Sequence, residues 1–407
     1  MPYEPVQPRL QPRLFQAVTA PASAWALLRG QLRYMQERGF EVFLASAPGP
    51  LLEEAATREG VHAVPVPIRR EPALIQDLQS LRRLVAVIRR LKPDIAHVST
   101  PKMGLLGAIA AWSCRVPVRL YTLRGIRADG FTGNQARLLV ALERLACALS
   151  HNVYCVSHSV RDRARELRLA PSHKLRVLGA GSSNGVDTTR FSRTAEILRA
   201  ADALRDRLRL PAAAPVIGFV GRIVRDKGFS ELLGAYELLR HEIPELRLIV
   251  VGDLESYDEI PPEARAELEQ DARIITTGFL EDTAPAYALM DVLALPSYRE
   301  GFGNVAMEAA AMEIPVVACR VTGCVDAVVD GKTGILVPPR DMTALATALR
   351  RYLADPELRR RHGQAGRERA VRDFQPSRIW ALLYEEYVQM LARKRSCHFS
   401  VPSANTY

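Results

Sequence analysis

The residues best suited to chemistry lie in Leu295-Pro-Ser-Tyr-Arg-Glu-Gly-Phe-Gly-Asn-Val-Ala-Met-Glu-Ala-Ala-Ala. A β-rich run ends at Pro296, a glycine-punctuated turn follows, and the apolar spacing predicts a helix opening near Gly303 and running through Met312. The backbone N–H groups of Gly303, Asn304 and Val305 at that helix start can receive a phosphate, and the helix dipole favours its charge. Glu300 falls in the turn and Glu308 in the second helical turn. A carboxylate accepts two hydrogen bonds at once, so each can hold a vicinal diol of a ribose or a hexose. Residues 301–306 also fit the dinucleotide pattern G-x-G-x-x-A. The next strand, however, ends in Ala318-Cys-Arg without the acidic residue that would hold a ribose 2′-hydroxyl, so that reading is set aside. Alone, the segment would be equally well described as a strand-to-helix turn with solvated glutamates.

A second segment changes the balance. The run Val216 to Val220 leads into Gly221-Arg222-Ile-Val-Arg-Asp-Lys227-Gly228, which puts Arg222 and Lys227 five apart on one loop. A planar guanidinium and a mobile ammonium together neutralise a diphosphate, given a phosphate-ready helix start in the same sheet. No two aspartates stand at D-x-D spacing, so no metal bridging a diphosphate is expected. Of the eight histidines only His97 and His158 fall near strand ends, and both read as structural.

These loops need strands to position them. In the first half β-rich runs at Arg13 to Thr19, Glu41 to Ser46, Val61 to Val64, Asp94 to Ser99, Val118 to Thr122, Asn152 to Ser157 and Leu175 to Leu178 alternate with helix-period segments at 24–37, 75–91, 103–113, 136–149 and 158–168. After an irregular, disordered-looking join from Thr188 to Ala214, strands recur at Val216 to Gly221, Arg247 to Gly252, Arg273 to Thr276, Asp291 to Pro296, Pro315 to Ala318 and Ile335 to Val337. Such alternation means βαβ units and doubly wound parallel sheets, hence an α/β chain of two Rossmann-like domains. The domains are expected at 13–190 and 212–376, the first completed by an amphipathic helix at 377–394. In such sheets ligands bind beyond the carboxyl ends of the strands, so two domains face to face would surround one cleft with loops.

A chain of 407 residues is too long for one core, and its 48% hydrophobic and 25% charged content suits a globular enzyme. No apolar stretch is long enough to span a membrane. Met1 to Pro12, with Pro2, Pro5, Pro8 and Glu4, reads as a frayed tail rather than a secretion signal, so a cytoplasmic protein is expected. Cysteines 114, 147, 155, 319, 324 and 397 form no C-x-x-C pair and read as buried thiols. The charge is one-sided. Residues 1–190 hold 27 Lys+Arg against 14 Asp+Glu, net +13, while the rest hold 28 against 31, net −3. A basic half attracts nucleic acid, anionic lipid or a phosphorylated substrate.

Gly221-Arg222…Lys227-Gly228, Val251-Gly252-Asp253, Thr277-Gly278-Phe279 and Glu300-x7-Glu308, in this order, resemble the retaining glycosyltransferases of family 4 with the GT-B fold, over residues 13–392. Trp25, Ser46-Ala-Pro-Gly49, Asp94-Ile-Ala-His97, Thr100-Pro-Lys102, Gly181-Ser-Ser-Asn-Gly-Val-Asp187 and Val321-Thr-Gly-Cys324 are similar to its capsular-polysaccharide and N-glycan-assembly branch. The resemblance implies that Arg222 and Lys227 contact the donor diphosphate, Glu308 the nucleotide ribose and Glu300 a donor-sugar hydroxyl. Backbone through Gly301, Phe302, Gly303, Asn304 and Val305 would close on sugar and phosphate, the base would stack near Gly252, Gly278 and Phe279, and Gly221 would also lie on the donor side. Ser157 and Asn184 would lie toward the acceptor side. Two departures stand out: Arg124-Gly125 replaces the family's His-Gly pair, and Ala20-Pro-Ala-Ser-Ala-Trp25 replaces its Gly-Gly loop.

The resemblance further implies a nucleotide diphosphate sugar donor, most simply a UDP-sugar, no cofactor and no metal, with the leaving phosphate taking the acceptor's proton. It implies a polyprenyl-diphosphate-linked saccharide as acceptor. The basic stretches Arg82-Arg83, Arg89-Arg90-Lys92 and Arg161, Arg163, Arg165 and Arg168, interleaved with Leu81, Leu84, Val85, Val87, Ile88 and Leu91, would then meet an anionic membrane surface at the inner face of the cytoplasmic membrane. Solvated outer helix faces are the plainer account of each stretch taken singly. One alternative keeps the fold, a UDP-N-acetylhexosamine 2-epimerase, though the histidines and carboxylates it needs are not evident. Another, a nucleic-acid binder, lacks stacking aromatics and any recognisable motif, so no nucleic-acid partner is expected.

Overall fold

The computed structural model describes residues 11–69, 71–254 and 260–398, the last four of these by backbone alone; Met1 to Leu10 and the side chain of Cys397 lie outside the described residues. Thirteen strands are described: β1 (Arg13–Ala17), β2 (Glu41–Ser46), β3 (His62–Pro65), β4 (Ile95–Ser99), β5 (Val118–Leu123), β6 (Asn152–Cys155), β7 (Leu175–Arg176), β8 (Val216–Val220), β9 (Arg247–Val251), β10 (Ile274–Gly278), β11 (Val292–Leu295), β12 (Val316–Cys319) and β13 (Gly334–Val337). Between them run α1 (Pro21–Leu27), α2 (Gln31–Glu37), α3 (Pro50–Glu59), α4 (Leu74–Leu91), α5 (Pro101–Ser113), α6 (Gly133–Leu149), α7 (His158–Glu166), α8 (Ala195–Arg207), α9 (Phe229–Glu242), α10 (Pro262–Gln270), α11 (Ala284–Ala288), α12 (Asn304–Ala311), α13 (Cys324–Ala327), α14 (Met342–Ala354), α15 (Pro356–Asp373) and α16 (Pro376–His398).

Two all-parallel sheets result, ordered β3-β2-β1-β4-β5-β6-β7 and β10-β9-β8-β11-β12-β13. Parallel strands need covered crossovers, so their central members are buried on both faces and read as continuous apolar runs. Every residue of β8 (VIGFV), β11 (VLAL) and β12 (VVAC) is buried. In each sheet the order reverses once, between β1 and β4 and between β8 and β11, which are the topological switch points where ligands collect.

The chain divides into two compact units. One comprises residues 1–156, 161–179 and 376–407, the other 157–160 and 180–375. The division therefore falls at 179/180, earlier than the sequence suggested, and the join is ordered. Thr194 caps α8 by accepting the Ile197 N–H at 3.2 Å, and Ala201 and Leu204 are buried, as the contacts of α8 with α11 require.

The first unit is built around Leu14, Leu32, Phe40, Val42, Leu120, Leu383 and Tyr387, the last two from α16. The Tyr387 ring stands edge-on to Phe40 at 5.9 Å. Its hydroxyl meets Nδ1 of the buried His97 at 2.6 Å, while Nε2 meets Thr122 Oγ1, also at 2.6 Å. Burial, reinforced by Arg124, pulls His97 down to about 3, so it stays neutral and structural. The stretch expected as one helix over 24–37 is instead α1 and α2. Gly30 turns left-handed at φ +77° between them, and a Cβ there would lie 2.4 Å from the Trp380 ring of α16. The aromatic needs the break.

The second unit packs Ile217, Phe219, Phe229, Leu232, Tyr236, Leu248, Val250, Leu349 and Tyr352 between β8–β9 and helices α9 and α14. That core makes the carboxyl edge of the sheet a rigid platform for the loops after β8, β9, β10 and β11.

Candidate active site

Three of those loops are fastened to one another by backbone. Gly221 N–H donates to Val251 O at 2.9 Å, Ile223 N–H to Asp253 O at 2.9 Å and Gly252 N–H to Gly278 O at 3.0 Å. Gly252 has φ +134°, and a Cβ there would sit 2.0 Å from Gly221 O. Only glycine fits. Gly221, Gly252 and Gly278 thus form a floor without side chains at the carboxyl ends of β8, β9 and β10, with Gly221 bordering the switch point. Phe279 follows Gly278 at its rim and is 65% exposed.

Arg222 lies half-buried on the loop after β8. Lys227 closes a short 3₁₀ turn that ends in the left-handed Gly228, where a Cβ would fall 2.1 Å from Pro296 O. The turn is tied to the β11–α12 loop from both sides: Tyr298 N–H donates to Asp226 O at 2.9 Å and Arg299 Nη2 to Asp226 Oδ2 at 2.6 Å. Tyr298 Oη also donates to Glu231 Oε1 at 2.6 Å. The consequence is that Lys227 Nζ pairs directly with Glu300 Oε1, which also accepts from Ser297 Oγ at 2.9 Å. Both members of the pair are mostly shielded, with side chains 17% and 14% exposed. With little water around them the two charges attract more strongly than they would at the open surface.

The helix after this loop is α12, with Gly303 left-handed as its N-cap at φ +76°. The N–H groups of a first helical turn have no intrahelical acceptor, so Gly303, Asn304 and Val305 offer theirs outward. Phe302 does not face a ligand with its side chain. It is buried, 5.1 Å from the Phe374 ring, so only its backbone is available. Burial raises Glu308 above the usual carboxylate range, opposed by the Tyr287 hydroxyl and by Arg190. Tyr287 Oη donates to Glu308 Oε2 at 2.8 Å.

Ser157 and Asn184, expected toward the acceptor side, both belong to the second unit. Ser157 Oγ donates to Gly301 O at 2.9 Å and accepts the Val160 N–H at 3.1 Å, so it braces the β11–α12 loop. Asp326 holds the adjacent segment, accepting His158 N–H at 2.9 Å and Ser159 N–H at 3.1 Å. Asn184 N–H donates to Ser182 Oγ at 3.4 Å. Arg124 lies in the first unit after β5 with Nε donating to Ser99 Oγ at 3.2 Å. Burial lowers it to about 10, which leaves it cationic at neutral pH.

Sequence reasoning passed over Tyr287, Arg190, Ser297 and the Asp226–Arg299 pair. Arg190 and Phe191 lie three and four residues beyond Asp187, close enough for the Gly181–Asp187 motif to mark them; nothing local marks Tyr287. Cys324 lies beside the Lys227–Glu300 pair, but burial first and the Glu300 charge second push its thiol up and keep it protonated. The described cysteines 114, 147, 155, 319 and 324 are free thiols, all buried except the half-buried Cys114. Among the described residues no three His, Cys, Asp or Glu side chains gather as metal ligands. A cavity of about 520 Å³ in the same unit lies at the opposite edge of the sheet, lined by Pro215, Asp291, Pro315 and Arg359, and is separate from these loops.

A model of group 1 glycosyl transferases matches residues 201–369, and one of glycosyltransferase family 4 matches residues 26–190. The capsular polysaccharide biosynthesis glycosyltransferase CapM of Staphylococcus aureus is 33% identical over 377 residues, 92% of this chain and 96% of CapM. Two solved structures share the fold. Anabaena HepE, crystallised with UDP, has a TM-score of 0.75 at 20% identity over 93% of this chain and 100% of its own. Sucrose-phosphate synthase from Thermosynechococcus elongatus has a TM-score of 0.76 at 22% identity, covering 94% of this chain and 100% of its own. Two doubly wound sheets, a glycine floor, a Lys–Glu pair at a helix start and a near-full-length relative agree: the chain belongs to the family 4 glycosyltransferases with the GT-B fold, on the capsular-polysaccharide branch.

Proposed function

We propose that the chain is a retaining glycosyltransferase that moves a hexose or N-acetylhexosamine from a UDP-sugar to a polyprenyl-diphosphate-linked saccharide in surface-polysaccharide or glycan assembly. The observation that carries this reading is the Lys227–Glu300 pair, set by the Asp226–Arg299 clasp on the loop that leads into α12. Support for the donor class comes from HepE, solved with UDP, and for the pathway class from CapM.

In this reading Lys227, Arg222 and the N–H groups of Gly303 to Val305 hold the diphosphate. Glu308 takes the ribose diol, Glu300 a hydroxyl of the donor sugar, and the base stacks by Phe279. The bond from the anomeric carbon to the β-phosphate oxygen breaks with oxocarbenium character. The acceptor oxygen bonds to the same face of that carbon, its proton passes to the departing phosphate, and UDP leaves. The cations and helix start stabilise the charge that develops on that phosphate, a preorganised electrostatic role. Because these groups already supply the positive charge, transfer is expected to persist in excess EDTA. Complete loss restored by magnesium would overturn the metal-independent reading, and an epimer formed from UDP-N-acetylhexosamine alone would favour the epimerase.

The first unit is proposed to meet an anionic membrane surface at the inner face of the cytoplasmic membrane. The α7 arginines contribute little, because Arg163 pairs with Asp129 and Glu166 at 2.9 Å each and Arg161 with Asp162 at 3.0 Å. On α4, Leu84 and Ile88 are buried against the fold, while Arg82, Arg83, Arg89 and Arg90 face solvent. Apolar exposure lies elsewhere, at Leu74, Ile75 and Leu78 on α4 and at Leu138, Leu142 and Leu145 on α6. No described helix is long and apolar enough to cross a membrane. Flotation with phosphatidylglycerol vesicles is expected and should weaken with salt and in Arg89→Gln/Arg90→Gln, each charge near the surface contributing about 1 kcal/mol. Equal flotation with neutral phosphatidylcholine would contradict an electrostatic attachment.

A further inference from the structure

The torsion that orients a glutamate's carboxylate plane is broad and poorly restrained. A carboxylate that must receive two ribose hydroxyls therefore needs something to set its plane. Beside Glu308 that something is Tyr287, a fully buried residue of α11 whose hydroxyl reaches Glu308 Oε2 at 2.8 Å and Val305 O at 3.3 Å. One phenolic proton serves both acceptors, and the shorter, charged contact takes it.

Tyr287 is itself held. The Phe191 ring stands edge-on to it at 5.8 Å and 81°. Arg190 Nε and Nη2 both donate to Asp282 Oδ1, at 3.1 and 3.0 Å, and Nη2 also donates to Glu281 O at 3.0 Å, just ahead of α11. Asp187 Oδ1 fixes the turn by accepting the N–H groups of Thr189 and Arg190 at 3.0 Å each. A continuous set of contacts thus runs from the Gly181–Asp187 motif through Arg190 and Phe191 to Tyr287 and on to Glu308.

We infer that Tyr287 is the positioning residue for Glu308: by pinning Oε2 it aims the carboxylate at the ribose diol and so sets the preference for a ribonucleotide over a 2′-deoxyribonucleotide donor. This rests on the reading of Glu308 as the ribose ligand, and the experiment separates the two. Binding of UDP and of 2′-deoxy-UDP is measured by calorimetry on the wild-type chain and on Tyr287→Phe, Glu308→Ala and the double variant. The phenylalanine keeps the ring against Phe191, and thermal unfolding of each variant checks the fold; Glu308→Gln replaces the alanine variant if that one is unstable.

Wild type is expected to prefer UDP and Glu308→Ala to lose the preference. Tyr287→Phe should weaken UDP about tenfold, the effect of removing a hydrogen bond to a charged group, and 2′-deoxy-UDP much less. It should have no further effect in the Glu308→Ala background, and kcat at saturating donor should stay within about twofold. Equal weakening in both backgrounds would make Tyr287 a packing residue and overturn the inference. So would wild-type preference in Tyr287→Phe alongside a lost preference in Glu308→Ala, which leaves the Glu308 reading standing. Retained preference in Glu308→Ala removes both.

Discussion

Lys227→Ala is expected to lower kcat/KM for transfer about 10³-fold while the second unit stays folded. Removing one preorganised donor from the site where charge develops in a transition state costs about 10²–10³-fold, and here the donor carries a full charge. The position is set by others: the 3₁₀ turn, the Asp226–Arg299 clasp and the Tyr298–Glu231 bond remain when the lysine side chain is removed. Glu300 keeps its bond from Ser297 Oγ, so unfolding temperature should fall by only a few degrees. Lys227→Arg should recover part of the loss, since it restores charge without the point geometry of an ammonium. Steady-state kinetics with thermal unfolding as control checks this. Near-wild-type activity in the folded alanine variant would remove Lys227 from the site.

Gly252→Ala should have the next largest effect, by a different route. The new Cβ would overlap Gly221 O at 2.0 Å, and φ +134° is a conformation that alanine avoids. Relief requires moving either the loop after β8, which carries Arg222 and Lys227, or the bond from Gly252 N–H to Gly278 O. A destabilisation of about 3 kcal/mol or more is expected, with UDP binding lost even where the protein survives. Chemical denaturation and calorimetry test the two halves; wild-type values in both would show that the floor is not under this constraint.

These two residues also mark what the sequence makes legible. Gly252 follows the four buried residues Leu248 to Val251 and Lys227 lies seven residues beyond the buried run Val216 to Val220, so their places at a sheet's carboxyl edge follow from the strand pattern alone. The strands of both sheets, the helix start at α12 and the Glu300 turn were readable in the same way, because each is encoded within some ten residues. What was not readable depends on contacts distant in sequence. Gly30 breaks a helix because Trp380, 350 positions away, needs the space. Ser157 ends what reads as a strand of the first sheet, yet its hydroxyl serves Gly301. Phe302 sits within the site motif, but Phe374 draws its ring into the core. Tyr287 reaches Glu308 from a different helix, and only the fold brings the two together. The basic half followed the same pattern: composition located the charge, but only the structure separated the paired α7 arginines from the exposed ones on α4.

Transfer of a sugar from a UDP-sugar to a lipid-linked saccharide through the Lys227–Glu300 site can be read directly by mass spectrometry. A panel of nucleotide sugars is incubated with a polyprenyl-diphosphate monosaccharide and the full chain. The expected product is heavier by one hexose or N-acetylhexosamine residue, formed from a UDP-sugar and absent with Lys227→Ala. No mass gain with any donor, or an undiminished gain with the alanine variant, would contradict it.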